Sequence, residues 1–255
     1  MNVFPEYSGY KDQFLELCKI TDPSGEIIYF EGDAELQQIV KNSAVNARIT
    51  AYNSLEYRIE ERGTSVFYDG RQYFTWLIGK YNIENMTGAM EVCRKLGISS
   101  HDFLHSMQSF KGAARRQQLL HEDEQRKIFL DFAHAPSKVK ATVTGFRENY
   151  PDKKLVTLLE LHTYSSLNSR FLPQYRGSLE AADEAFVYFN PEVVKHKLLP
   201  PLENKFVAEC FQKEGLHILS SVPELEQVVK EKSREENLIF LIMSSGNLGG
   251  VNLKF

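Results

Sequence analysis

The sequence predicts an α/β protein in two parts, an α+β segment followed by a doubly wound segment on a mainly parallel sheet. Three observations carry that prediction. From residue 127 onward, short apolar runs alternate with helix-like segments: strand 127–131, helix 137–149, strand 154–160, helix 170–182, strand 185–189, helix 201–214, strand 216–219, helix 223–235 and strand 238–243. Such alternation is the signature of parallel strands joined by covering helices. Before residue 112 the pattern is different, and residues 57–77 alternate polar and apolar around Asp69-Gly70, a hairpin signal. Finally, 255 residues with 42% hydrophobic and 25% charged side chains supply an ordinary globular core.

In the first part, residues 10–20 carry Phe14, Leu15, Leu17, Cys18 and Ile20 at helical spacing, and TDPSG ends that helix before a strand in EIIYFEGD. ELQQIV at 35–40 reads as a second helix and RITAY as a strand. A long helix runs from Asn82 through Arg94 until LGIS stops it, and Ser99 or Ser100 then caps another that ends near Phe110. KGAARR follows as a basic, glycine-bearing connector, so the chain is split near residue 112 into segments 1–112 and 113–255. There is no internal repeat or low-complexity tract. The chain opens at Met1 with no leading strand or helix, as though entered part way through a domain, and the expectation is that sequence is missing upstream.

A formal charge of −4 and no local basic patch argue against a nucleic-acid partner. No window approaches the ~20 apolar residues a membrane span requires. Met1 leads into neither a signal nor a transit peptide, so the cytoplasm is expected. Cys18, Cys93 and Cys210 stand far apart in helix-like patterns without CxxC pairing, which reads as buried thiols in a reducing compartment.

In a parallel sheet, ligands bind beyond the carboxyl ends of the strands. There the sequence places Asp131 and His134, then Glu160, His162, Thr163, Tyr164, Ser165 and Ser166, then Asn190 and Glu192, Ser220 and Ser221, and finally Ser244, Ser245, Gly246 and Asn247. Ser137, Ser220 and Ser221 read as helix caps. A lone loop histidine is more often structural than functional, but His134 and His162 converge with Asp131 and Glu160. SSGNLGGVNLKF lacks the lysine of a phosphate loop; it suits either a polar loop holding a carboxylate through N–H groups or a turn into an edge strand. Asn82 and Asn85, at i and i+3 on one helix face, suit either a purine edge or a helix cap. Arg115 and Arg116 suit either a phosphate clamp or a solvated linker.

Taken in order, GKYNIENMTGAM at 79–90, FKGAARRQQLL at 110–120, DFAHAP at 131–136, ELHTYSS at 160–166 and SSGNLGG at 244–250 resemble the Mur ligase family. These are ATP-dependent enzymes that join amino acids or peptides to UDP-N-acetylmuramic acid. The resemblance covers nearly the whole chain: residues 1–112 look like the later part of the family's central ATP-binding domain, and 113–255 like its Rossmann-like C-terminal domain. It implies that Asn82 and Asn85 lie at the adenine and that Arg116 acts on the ATP phosphates as the catalytic cation. Asp131 would hold the ribose, with His134 shaping the same turn. His162, Thr163 and Tyr164 would face the amino acid or peptide, and Ser245 with Asn247 would help hold it. No GxxGK[ST] and no acidic magnesium-binding segment occurs, and the UDP-sugar domain is absent, so the Mg2+ ligands are expected on a missing upstream segment. His134-Ala135-Pro136 stands where many muramate ligases read HHP or HTP, and Tyr81 where a histidine often precedes Asn82.

Within the family, ELHTYSS and an ending soon after SSGNLGG look most like the murein peptide ligases of peptidoglycan recycling, which attach L-Ala-γ-D-Glu-meso-diaminopimelate to UDP-N-acetylmuramate. The L-alanine-adding ligase is the nearest competitor. The implied chemistry is activation of the muramoyl carboxylate by ATP as an acyl phosphate, which the incoming amine displaces; it rests on positioning and charge neutralisation. Lacking a phosphate loop, this chain alone is expected not to turn over. A reading of another class is a non-catalytic nucleotide- or peptide-binding fragment. A folate polyglutamate ligase is the third, against which Phe132 and Ala135 argue.

Overall fold

The computed structural model describes Phe4 and residues 6–255, and the expectation attached to the opening at Met1 lies outside them. The chain divides into two compact units, Met1–Phe110 and Lys111–Phe255.

In the first unit, α1 (Tyr7–Ile20), β1 (Glu26–Phe30), α2 (Ala34–Asn42) and β2 (Arg48–Tyr52) follow one another, and β1 pairs with β2 in parallel from Glu26 beside Arg48 to Phe30 beside Tyr52. The α2 start is set by Asp33, whose carboxylate accepts the Glu35 and Leu36 N–H groups at 2.9 and 3.0 Å and so satisfies two donors that lack helical partners. Residues 57–77 hold three strands where one hairpin is expected: β3 (Glu56–Glu60), β4 (Gly63–Tyr68) and β5 (Arg71–Thr75). Asp69 and Gly70, at φ 48° and 70°, form the two-residue turn whose twist suits paired strands. The other turn, Glu61-Arg62, has neither Gly nor Asn at its two central positions and is marked only by Gly63 after them. Helices α3 (Lys80–Lys95) and α4 (Ser100–Met107) lay Ile83, Met86, Met90 and Leu104 against Val66 and Tyr73. Ser99 caps α4, accepting the Asp102 N–H at 3.1 Å.

The second unit contains β6 (Gln118–Glu122), β7 (Arg126–Asp131), α5 (Pro136–Asn149), β8 (Lys154–Leu161), β9 (Glu184–Phe189), α6 (Pro191–His196), α7 (Asn204–Phe211), β10 (His217–Leu219), α8 (Val222–Lys232) and β11 (Leu238–Met243). Its sheet has the order β10-β9-β8-β11-β7-β6, parallel throughout except where β6 joins β7 antiparallel. Strand alternation sends side chains to two faces. Ile128, Val156, Leu158, Phe186, Phe240 and Ile242 share one face with Leu225 and Val229 of α8. On the other face, Phe129 meets Phe146 of α5 edge-on at 4.8 Å between ring centroids. β8 and β11 are buried along almost their entire length, as strands covered on both faces must be.

Several expectations are corrected. Strand β6 follows the KGAARR connector where the sequence reading expects no element; it is short and bulged between Leu119 and His121, as edge strands often are. The helix expected over 170–182 is a 3-10 turn, Leu172–Tyr175, within irregular chain. Pro173 lacks an N–H and disfavours the α region at the preceding residue, and Gly177 sits at φ 67°. The helix expected over 201–214 is α7 alone, ended by Gln212 in the left-handed region at φ 51°. An unforeseen helix, α6, precedes it, begun by the Asn190 side chain accepting the Glu192 N–H at 2.9 Å, with Pro191 in its first turn. Ser221 caps α8, whereas Ala135, not Ser137, occupies the cap position of α5. Cys18 and Cys210 are buried, and Cys93 is half-buried. Among the described residues no helix is long and apolar enough to cross a membrane.

Candidate functional site

Sheet register brings three loops together at the carboxyl edge. Met243 pairs with Asp131 on one side and Leu159 on the other, so the next residue of β11, Ser244, falls between Phe132 and Glu160. The Ser244 hydroxyl donates to Glu160. The same carboxylate oxygen accepts the Leu248 N–H at 3.2 Å. Glu160 is 4% exposed and Ser244 fully buried, so this carboxylate serves as the internal anchor of the 244–250 loop, filling donors that burial would otherwise leave unpaired. His162 Nδ1 stands 3.7 Å from the other Glu160 oxygen. Gly246 completes the contact: a Cβ there would lie 2.7 Å from both Glu160 Oε2 and the His162 ring, so only glycine lets this backbone approach so closely. Leu248, Gly249 and Gly250 continue at φ 51°, 61° and 86°, a left-handed turn held down by the burial of Leu248.

On the β7 side, Asp131 is 2% exposed. Its oxygens accept the Ala133 N–H at 2.7 Å and the Gln117 N–H at 2.9 Å. Burial pushes the Asp131 carboxyl above its ordinary range, against the opposing pull of those N–H groups and the Arg116 charge. Arg115 and Gln117 adopt φ 57° and 48°, a region that costs an L-residue roughly 1–2 kcal/mol. The surroundings hold them there. The Arg115 N–H donates to Gln118 Oε1 at 2.9 Å, and its guanidinium Nη2 donates to the carbonyls of Ser244 at 2.9 Å and Gly246 at 2.7 Å. The Arg115 and Arg116 guanidinium groups lie 5.3 and 5.7 Å from the Phe132 ring centroid, within cation–π reach.

The remaining candidates divide by what they touch. His134 Nδ1 donates to the Phe132 carbonyl at 2.9 Å, and the His134 carbonyl accepts the Tyr175 hydroxyl, so the imidazole closes the turn between β7 and α5. The Thr163 hydroxyl is engaged within its own loop, accepting the Ser166 N–H at 3.1 Å. Tyr164 is exposed, with Lys197 Nζ 4.2 Å from its ring centroid. The Ser245 hydroxyl is enclosed and has no hydrogen-bond partner among the described residues. Asn247 is exposed, as is Arg116. Asn82 and Asn85 belong to the other unit. The Asn82 side chain donates to the Ile78 carbonyl at 2.8 Å, and Asn85, one turn further along α3, is exposed. Gly79, not an asparagine, occupies the α3 cap position. No group of three or more His, Cys, Asp and Glu among the described residues is arranged to hold a metal.

The sequence reading names Glu160, Ser244 and Gly246 at the sheet edge and Arg115 in the connector, but gives them no part in organising His162, Ser245 and Asn247. One signal for Glu160 was present. It continues the even-numbered face of Val156 and Leu158, so an acid there must be buried at the sheet edge. Arg115 had no such signal, because its partners are backbone carbonyls more than a hundred residues away.

No protein-family model matches the chain. The UDP-N-acetylmuramate–L-alanine ligase of Caldanaerobacter subterraneus subsp. tengcongensis is 23% identical over 269 aligned positions, covering 100% of this chain and 58% of that protein. Among solved structures, the UDP-N-acetylmuramate-alanine ligase of Thermotoga maritima superposes with a TM-score of 0.66 at 17% identity, over 96% of this chain and 53% of its own. The murein peptide ligase of Psychrobacter arcticus superposes at 0.61 and 18% identity, over 97% of this chain and 54% of its own. The chain thus spans about half the length of the curated relatives it matches. The sequence matches favour the L-alanine-adding type over the murein peptide type preferred from ELHTYSS, since the curated relatives carry the former name and the latter is a neighbour in fold.

Proposed function

Because the chain is a homologue of the Mur ligases, we propose that it is the nucleotide- and amine-binding half of an ATP-dependent ligase acting on UDP-N-acetylmuramate, with L-alanine as the favoured incoming amine. Residues 1–112 would be the later part of the central domain and 113–255 the C-terminal domain. The observation that supports the reading best is the joined edge of β7, β8 and β11. Its internal bonds are nearly all satisfied, yet the Ser245 hydroxyl is enclosed without a partner and the Arg116 side chain is exposed beside it in sequence to the Arg115 anchor. A buried unpaired hydroxyl is costly and suits a site completed by a ligand.

ATP would supply the γ-phosphoryl group that activates the muramoyl carboxylate as an acyl phosphate, with ADP leaving. Toward ATP, Arg116 offers a cation for phosphate oxygens and Asn85 an exposed amide for the adenine. Asn82 shapes the start of the same helix through Ile78, and would stand at the adenine beside Asn85. Asp131 would reach the ribose only through lone pairs left by its two N–H donors; its larger role is to hold the Arg116 turn. His162 and Ser245 would orient the amine substrate, with Asn247 and Tyr164 at the loop rims and Thr163 bracing the β8 loop. No group of three or more His, Cys, Asp and Glu among the described residues is arranged to hold a metal, and the magnesium ligands would come from polypeptide outside this chain. The compartment proposed is the cytoplasm.

The chain alone is expected to bind ATP and L-alanine in calorimetry but to release no ADP when UDP-N-acetylmuramate is added. Robust ADP release would overturn its incompetence, and tighter binding of L-Ala-γ-D-Glu-meso-diaminopimelate than of L-alanine would restore the murein peptide reading. Binding of neither nucleotide nor amine would remove the proposal.

A further inference from the structure

We propose that Arg115 is a positioning residue that latches the 244–250 loop to the 113–117 turn, so that the amine-side loop and Arg116 are set together. The proposal rests on the preceding reading for the roles of Arg116 and the loop, but the latch itself is a matter of geometry. Four bonds from three consecutive residues converge on the turn. The Gln117 N–H is held by Asp131 at 2.9 Å, the Arg116 N–H by the Ala113 carbonyl at 3.0 Å, and the Arg115 guanidinium by the Ser244 and Gly246 carbonyls at 2.9 and 2.7 Å.

Arg116 therefore sits between two residues in the left-handed region, at φ 57° and 48°, a conformation that persists only while its surroundings impose it. From the other side, the loop that receives Arg115 is fixed by Glu160 through Ser244 and Leu248, with Gly246 packed on His162. A displacement of Gly246 moves one of the two carbonyls that hold Arg115, and through Arg115 the turn that presents Arg116. One planar guanidinium spans both carbonyls while lying over Phe132, which a flexible ammonium does not reproduce.

A double-variant cycle read by amide hydrogen exchange on the full chain tests this. Gly246→Ala displaces the loop or the Glu160 and His162 side chains packed on it, because the added carbon would stand 2.7 Å from both. With Arg115 present, Gly246→Ala is expected to accelerate exchange at the Arg116 and Gln117 amides about tenfold, and in the Arg115→Ala background by less than about twofold. Equal acceleration in both backgrounds, or none in either, overturns the latch. If Gly246→Ala does not fold, Ser244→Ala, which removes the hydroxyl bond to Glu160, is read in the same way. A merely structural arginine would lower the melting temperature in every background without this non-additivity. In calorimetry, Arg115→Ala is expected to weaken ATP binding roughly fivefold to tenfold when Arg116 is present and to have no effect in Arg116→Ala. A loss of equal size in both backgrounds counts against Arg115 acting through Arg116. Absence of ATP binding by the unaltered chain overturns the functional reading instead, and the exchange cycle still decides the latch.

Discussion

Asp131 and Glu160 are both buried carboxylates, yet they answer differently to the same substitution. Each Asp131 oxygen accepts a backbone N–H, so Asp131→Asn must turn an NH2 group toward one of those donors. We expect a loss of about 1–3 kcal/mol in urea unfolding, the cost of leaving a buried donor unpaired. Glu160 concentrates its two accepted bonds on one oxygen. Glu160→Gln can therefore keep them and should stay within about 1 kcal/mol of the parent, whereas Glu160→Ala, which strands the Ser244 hydroxyl and Leu248 N–H, should cost about 1–3 kcal/mol or more. Similar losses from Gln and Ala would show that the charge, not the acceptor, holds the loop. At this scale the sequence marked His162 and Ser245 by residue type and place. Residue type alone did not distinguish Arg115 from Arg116, which only the family resemblance separated, because nothing local to two consecutive arginines says which one turns inward to carbonyls and which stays exposed.

Elements were legible where their boundaries are local. The capping box of α8, in which Ser221 accepts the Glu224 N–H at 3.4 Å and Glu224 accepts the Ser221 N–H at 3.0 Å, is written in SVPE itself. Ser221→Ala is expected to destabilise by about 1 kcal/mol, measurable as a shift in the urea midpoint with unchanged slope. Gly70→Ala, at φ 70° with nothing near the added carbon, should cost about 1 kcal/mol through backbone conformation alone. The apolar strands read well for the same reason, since β11 is an uninterrupted run. Segment 170–182 failed because Leu172, Tyr175 and Leu179 have helical spacing but are buried by irregular chain around Pro173 and Gly177. The apolar period there is helical, but Pro173 and Gly177 break the helix. In α6, Asn190-Pro191 starts the helix, and the same pair equally suits a loop.

For the molecule as a whole, the amino edge of the second sheet carries an ion network that sets a pH window. Lys154 and Lys232 each contact Glu184 and Glu235, at 2.5–2.9 Å. Bonds from both lysines bring the Glu235 carboxyl below its ordinary 4.5. For Glu184, burial opposes the shift, but the same lysines still lower it. Burial likewise opposes the rise of both lysines, which their carboxylate partners nonetheless hold above 10.5. A depressed carboxyl adds stability above its unfolded value and loses it as pH falls through the folded one; a raised lysine adds stability below its unfolded value and loses it as pH rises through the folded one. The network's contribution should therefore be fullest between about pH 5 and pH 10 and fall away on both sides. Asp131, raised by burial, acts in the opposite sense at the acid end. Urea midpoints against pH should fall more steeply below about pH 4.5 in the parent than in Glu235→Gln; parallel profiles would show that solvent screens the network to nothing.

By itself the sequence determined the alternation of strands and helices, most element positions, and which residue types crowd the carboxyl edge of the sheet, because periodicity and capping act between residues a few positions apart. Only the tertiary structure decided strand order, the antiparallel β6, and the bonds from Arg115 and Glu160 that join three loops into one edge. Those depend on register between strands distant in sequence, where a shift of a single residue would turn Ser244 away from Glu160 and break the bond that ties the loop to β8.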